Sequence, residues 1–175
     1  MRRILVFAVL ASALSLPTGA IAESKNKLVG TWKLVSVVSK TDQGDVNKTV
    51  YGEHPKGFIT YGADGRMMVI ITEDGRKPLS LNDRVSAPIE ERAQAFSTMT
   101  AYAGTYTVSG DKVVHHVEVS ANPNWVNTDQ SRTAKIQGDR LTITTPPLAR
   151  GGTMQTFELI WGRVKPSGKS PKPAG

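Results

Sequence analysis

Asp-Gly and Gly-Asp pairs punctuate this chain at four places: Ala63-Asp64-Gly65-Arg66, Glu73-Asp74-Gly75-Arg76, Ser109-Gly110-Asp111-Lys112 and Gln137-Gly138-Asp139-Arg140. Such pairs supply the positive φ that tight hairpin turns require. Around them lie runs rich in β-branched and aromatic residues, at 28–40, 57–61, 66–72, 105–109, 112–120, 131–137, 140–145 and 153–164. These predict eight short strands, mostly neighbours in sequence and joined by hairpins. An antiparallel meander of this kind must hide its edges, and closure into a barrel does so most completely. The expectation is an all-β fold, an eight-stranded antiparallel barrel.

One segment departs from the strand pattern. Residues 88–103 begin with Pro88, carry Glu90 and Glu91 in the first turn, and place Ile89, Ala93, Phe96, Thr100 and Ala103 on one stripe. Proline and acidic residues both suit a helix start, and the spacing is helical. Gly104 stands where a glycine stop is expected. The segment is predicted as one helix inserted between the third and fourth strands, its stripe a packing surface and the helix a possible cap on one barrel mouth.

The two ends of the chain differ from its body. Met1-Arg2-Arg3 followed by an apolar run to Leu16, then Pro17-Thr18-Gly19 and Ala20-Ile21-Ala22, has the three parts of a secretory signal peptide. The apolar run is short of the ~20 residues a membrane span needs. Residues 1–22 are therefore expected to be removed, leaving an exported protein, periplasmic or secreted, with no stable membrane insertion. Residues 165–175 form a Pro/Gly/Ser tail with three lysines, expected to be disordered. The domain proper is then 23–164. The formal net charge is +7. Arg2, Arg3, Lys165, Lys169 and Lys172 lie in these ends, so the body is near neutrality and no nucleic-acid partner is expected. With no cysteine in the chain, disulfides, thiolate metal sites and cysteine nucleophiles are excluded.

Gly30-Thr31-Trp32 lies at the start of the first strand and Arg163 near the end of the last. A closed barrel brings those strands together, and a guanidinium over an indole contributes ~0.5–2 kcal/mol. This G-x-W with a late arginine resembles the arrangement of lipocalins and their calycin relatives. A longer pattern is more specific. It comprises Leu28-Val-Gly-Thr-Trp-Lys-Leu-Val-Ser36, Gly57-Phe-Ile-Thr-Tyr-Gly-Ala-Asp-Gly-Arg-Met67, Tyr102-Ala-Gly-Thr-Tyr106, Val113-Val-His-His-Val-Glu-Val-Ser120, Pro123-Asn-Trp125 and Arg132. In this order they resemble the bacterial and fungal lipocalin-like domain family. The resemblance implies a small closed barrel and, for most members, no established activity. Some such barrels bind apolar metabolites, and a few related ones are isomerases or cyclases.

Candidate site residues follow from strand alternation, in which successive side chains face opposite ways. His115 travels with Val113, Val117 and Val119, and His116 with Val114 and Glu118, so the two histidines cannot chelate one metal. His115 is either a satisfied interior histidine or a neutral donor and acceptor for a ligand. His116 and Glu118 share a face and are the candidate acid/base pair of an enzyme. With His54 or another third partner they could hold a metal, but the spacing does not favour it and no metal or cofactor is expected. Arg132 travels with Ala134 and Ile136, an apolar set that favours an inward position, paired either with Glu118 or with a ligand carboxylate; the remaining alternative is exposure to solvent. Trp125, in the loop 121–129, marks a binding mouth or plugs the barrel. Tyr61, Tyr102 and Tyr106 are candidate pocket hydroxyls. Met67, Val69, Ile71, Leu141 and Ile143 are expected to form the walls.

Three functions fit these residues. The favoured one is a monomer binding a small apolar or amphipathic molecule, with ligand contacts from His115, Arg132, Tyr61, Tyr106 and Trp125. The second is an isomerase, cyclase or hydrolase built on His116 and Glu118. The third is a cell-envelope interaction protein whose barrel is packed solid.

Overall fold

Alternation of buried and exposed residues along long strands organises the fold. The structure, a computed structural model, describes residues 27–165. The expected leader at 1–22 and nearly all of the expected tail lie outside them. The strands are β1 (Gly30–Thr41), β2 (Val46–Asn47), β3 (Lys56–Tyr61), β4 (Arg66–Thr72), β5 (Met99–Ser109), β6 (Lys112–Ser120), β7 (Asp129–Gln137), β8 (Arg140–Thr144), β9 (Leu148–Arg150) and β10 (Thr153–Arg163). The helix α1 spans Ile89–Ser97.

Eight strands form a closed antiparallel ring in the order β1-β3-β4-β5-β6-β7-β8-β10, with β10 returning to pair with β1. The closing register runs from Trp32 opposite Arg163 to Thr41 opposite Gln155, with a bulge between Leu34 and Ser36. The two-residue β2 adds to β1 and the three-residue β9 adds to β10. Neither short strand was expected from the sequence. The glycines of the hairpin turns, Gly65, Gly110 and Gly138, have positive φ. The turn at 73–76 ends β4 but opens a long excursion containing α1 rather than a hairpin.

The helix expected over 88–103 is half as long as its stripe suggested. It stops at Ser97, and Thr98 closes it, its hydroxyl donating to the Gln94 carbonyl at 2.7 Å. From Met99 the chain is strand, pairing with β4 from Met99 opposite Thr72 to Thr105 opposite Arg66. Seven ladder pairs and the burial of Tyr102 and Tyr106 outweigh a weak local preference for helix. The stripe is not a packing surface either, because α1 buries none of its residues and leaves Ile89 and Phe96 mostly exposed.

Gly104 is accordingly no helix stop. It sits inside β5 at a bulge between Ala103 and Gly104. A Cβ there would lie 1.9 Å from the His116 carbonyl oxygen. The glycine permits this close backbone approach of β5 and β6.

The barrel has two unlike ends. At one end, where β1 starts and β10 finishes, Trp32 is fully buried and its indole N–H donates to the Leu28 carbonyl at 2.9 Å. The Arg163 guanidinium lies 3.9 Å from the Trp32 ring centroid. It also donates to the carbonyls of Val29 and Lys27, at 3.0 and 2.6 Å. The segment before β1 is thereby tied across this end. Tyr61, Met67, Val113 and Leu141 fill the barrel behind it.

Candidate functional site

The opposite end holds a cavity of about 160 Å³. Its walls are set by period-two alternation on four strands: Ile59 from β3, Val69 and Ile71 from β4, Ile143 from β8, and Phe157 and Trp161 from β10. Of the five expected wall residues, Val69, Ile71 and Ile143 line it. Met67 and Leu141 are buried but lie outside its lining. Around the mouth stand Tyr51, Trp125 and the β9 flap Leu148-Ala149-Arg150.

Trp125 is held there by its loop. Residues Pro123–Trp125 form a 3-10 turn, begun by Asn122, whose side chain accepts from the Asn124 N–H. Backbone hydrogen bonds between Val117 and Thr128, and between Asn127 and Val117, anchor the loop to β6. The indole then meets the Tyr102 ring edge-on at 5.5 Å. Trp125 therefore forms part of the cavity mouth and does not fill the barrel.

The flap is fastened by charge. Arg150 donates to Glu73 at 2.6 Å and lies 4.4 Å from the Tyr51 ring centroid. Both partners of this ion pair are partly shielded from solvent. Sequence reasoning missed Arg150, Glu73 and Tyr51, because nothing local links residues so far apart. It also missed Trp161, which the alternation Phe157, Leu159, Trp161 along the expected last strand would have placed inside.

Arg132 is the charged residue deepest in the site. It is 6% exposed and lines the cavity. Its guanidinium donates to its neighbour's carbonyl, Ser131, at 2.7 Å and to Gln130 Oε1 at 3.3 Å. The expected bridge to Glu118 is not made. Arg132 pairs with Val113 in the β6–β7 ladder and shares its inward face, whereas Glu118 points out of the barrel and binds Arg66 at 3.1 Å. Among the described residues no carboxylate forms an ion pair with Arg132. The Trp161 indole nitrogen is also buried and, among the described residues, without a hydrogen-bond partner.

Behind the cavity lies a second polar group. His115, 1% exposed, has Tyr61 Oη 2.8 Å from Nε2 and Tyr102 Oη 2.8 Å from Nδ1. A neutral imidazole offers one donor and one acceptor, so one tyrosine accepts and the other donates. Burial, then the Arg132 charge and then His116 push the His115 pKa down to about 3. Burial likewise raises Tyr61 and Tyr102 above the ordinary phenol value. His115 and Tyr61 are not part of the cavity lining; Tyr102 connects them to it. Tyr106 also stands apart, its hydroxyl donating to the Gly62 carbonyl at 2.9 Å and its ring edge-on to Tyr61.

His116 and Glu118 are on the outer wall, each with its own partners. His116 bridges Asp129 at 2.7 Å and Thr107 at 3.0 Å, and Glu118 holds Arg66. The expected acid/base pair does not assemble beside the cavity. No group of three potential metal ligands occurs among the described residues.

A closed eight-stranded barrel, tied by a Gly-x-Trp/Arg contact at one end and hollow at the other, defines a lipocalin-like β-barrel. The chain belongs to the lipocalin-like domain family, whose family model matches residues 29–164. It is 37% identical over 89 residues to a protein of Aspergillus oryzae, the 4'-hydroxy-3'-methoxypropiophenone carrier protein ppsC; the match covers 46% of this chain and 80% of that one. A lipocalin-like protein from Bacteroides uniformis, known from a crystal structure, aligns with 79% of this chain and 99% of its own. Its TM-score is 0.41 and its identity 14%.

Proposed function

We propose that the protein binds and carries a small, largely apolar molecule in the open end of its barrel. The observation that carries this reading is the cavity itself, apolar-walled with few polar groups, the usual make-up of small-molecule sites. A barrel filled by its own side chains would have favoured the surface-interaction reading instead. About 160 Å³ is close to the ~150 Å³ of an apolar cavity known to take a benzene ring. The ligand is accordingly of single-ring size, with any further length emerging past Trp125. The Aspergillus relative, named as a carrier of a substituted propiophenone, supports the same reading.

Export to the periplasm or the medium is part of the proposal and rests on residues 1–22. N-terminal sequencing of the protein recovered from the exported fraction should begin at Glu23. Native mass spectrometry on that material tests the carrier function. A reproducible small-molecule adduct supports it, and the adduct mass gives the ligand class. Failure of Trp125 and Trp161 fluorescence to respond saturably to any single-ring aromatic, together with a clean apo mass, would overturn it.

A further inference from the structure

The cavity lining carries two arginines, Arg132 and Arg150, and no acidic residue. Their situations differ. Arg150 is at the mouth and is neutralised by Glu73. Arg132 is nine-tenths buried and, among the described residues, no carboxylate pairs with it: Glu118 pairs with Arg66, Asp129 with His116 and Glu73 with Arg150. A guanidinium has five N–H donors. The acceptors of Arg132 are all uncharged: a backbone carbonyl, an amide oxygen and the Tyr102 phenol.

A buried charge without a counter-charge is costly. A neutral apolar ligand entering this cavity would raise that cost, since it would strip water from the guanidinium and return nothing. An anionic acceptor would lower it, through a charge-assisted hydrogen bond and ion pairing in a poorly solvated site. The ring-sized apolar volume bounded by Tyr102, Trp125, Phe157 and Trp161 suits an arene.

Resting on the carrier reading above, we propose that the ligand is a single-ring aromatic carboxylate, with its carboxylate on Arg132 and its ring among these aromatic side chains. The fork of Arg132 selects for charge, and the apolar walls select for ring size.

The test is calorimetric titration of the purified full chain with three probes of similar size: 4-methoxybenzoate, 4-methoxyacetophenone and 4-isopropylanisole. The proposal expects the carboxylate to bind at least tenfold more tightly than either neutral probe. In Arg132→Met the carboxylate should lose at least tenfold in affinity, while the ketone changes by less than threefold. Neutral probes binding as well as the carboxylate would overturn the assignment to Arg132 and leave the carrier reading standing. No binding by any probe would overturn both. The comparison among probes on the unaltered protein decides the matter even if Arg132→Met fails to fold. Arg132→Lys then adds a variant that keeps the charge without the fork, and an intermediate carboxylate affinity is expected.

Discussion

Replacing His115 with leucine removes the one side chain that satisfies two buried phenols. Tyr61 and Tyr102 each lie 2.8 Å from an imidazole nitrogen, and both hydroxyls are deep in the barrel. Leaving a buried polar group unpaired costs about 1–3 kcal/mol, so with two phenols affected the variant should be less stable by about 2–6 kcal/mol near pH 7. The difference must also depend on pH. The His115 pKa is lowered from 6.5 to about 3 in the folded state. The unfolded chain therefore binds a proton that the folded chain refuses throughout that interval. Stability from this group is fully present above about pH 6.5 and is lost as pH falls toward 3. The slope is about 1.4 kcal/mol per pH unit.

His115→Leu lacks this titration. By pH 4.5 the wild type should have lost about 2.5 kcal/mol that the variant never had, so the stability gap narrows by that amount. Urea denaturation of both proteins at pH 7.5, 6.0 and 4.5 measures it, and the variant difference cancels acid effects common to both. A gap that stays constant across this range would refute the argument, because it would mean that His115 is not held neutral by burial.

Three further outcomes follow from particular contacts. Arg163→Met removes the cation over Trp32 and two carbonyl contacts; a loss of about 2–3 kcal/mol in denaturant stability is expected, with ligand affinity unchanged. Gly104→Val drives a side chain into the His116 carbonyl and should cost about 3 kcal/mol or more, read as a large fall in Tm or loss of soluble protein. Trp125→Ala removes an edge-on aromatic contact with Tyr102 from a loop that backbone hydrogen bonds keep in place. The expected stability loss is about 1 kcal/mol, and stopped-flow fluorescence through Trp161 should show faster ligand release at nearly the same association rate.

The hairpins were legible because their signals are local. Asp-Gly and Gly-Asp pairs mark β3–β4, β5–β6 and β7–β8 wherever the chain places them, and the bounds of β4 and β6 match the sequence expectation. The end of α1 was not legible, since Thr100-Ala-Tyr-Ala103 continues the helical spacing and becomes strand only because β4 offers it a ladder. Gly104 was misread for the same reason: as a helix stop it needs only its neighbours, as a bulge it needs the His116 backbone across the sheet. Within the site, alternation gave the inward face of Arg132 directly from Ala134 and Ile136. It also separated His115 from His116. What alternation leaves open is depth along the barrel, and depth is what decides that Tyr102 lines the cavity while His115, Tyr61 and Tyr106 do not.

Depth also explains how one small barrel can keep a hollow end. An apolar cavity forfeits packing contacts, and Arg132 adds a buried charge with no ion-pair partner among the described residues. The opposite end is built to offset this: an indole with its N–H satisfied, a guanidinium stacked on it and bonded to two carbonyls, and a histidine that closes two phenols. Tyr102 joins the two halves, since its ring lines the cavity against Trp125 while its hydroxyl rests on His115. A ligand carboxylate on Arg132 would therefore act on the same aromatic side chain that His115 positions. Substitutions at Trp32 or Arg163 should move stability alone. Substitutions at Arg132 should move ligand choice first, and His115 should be the position where the two effects appear together.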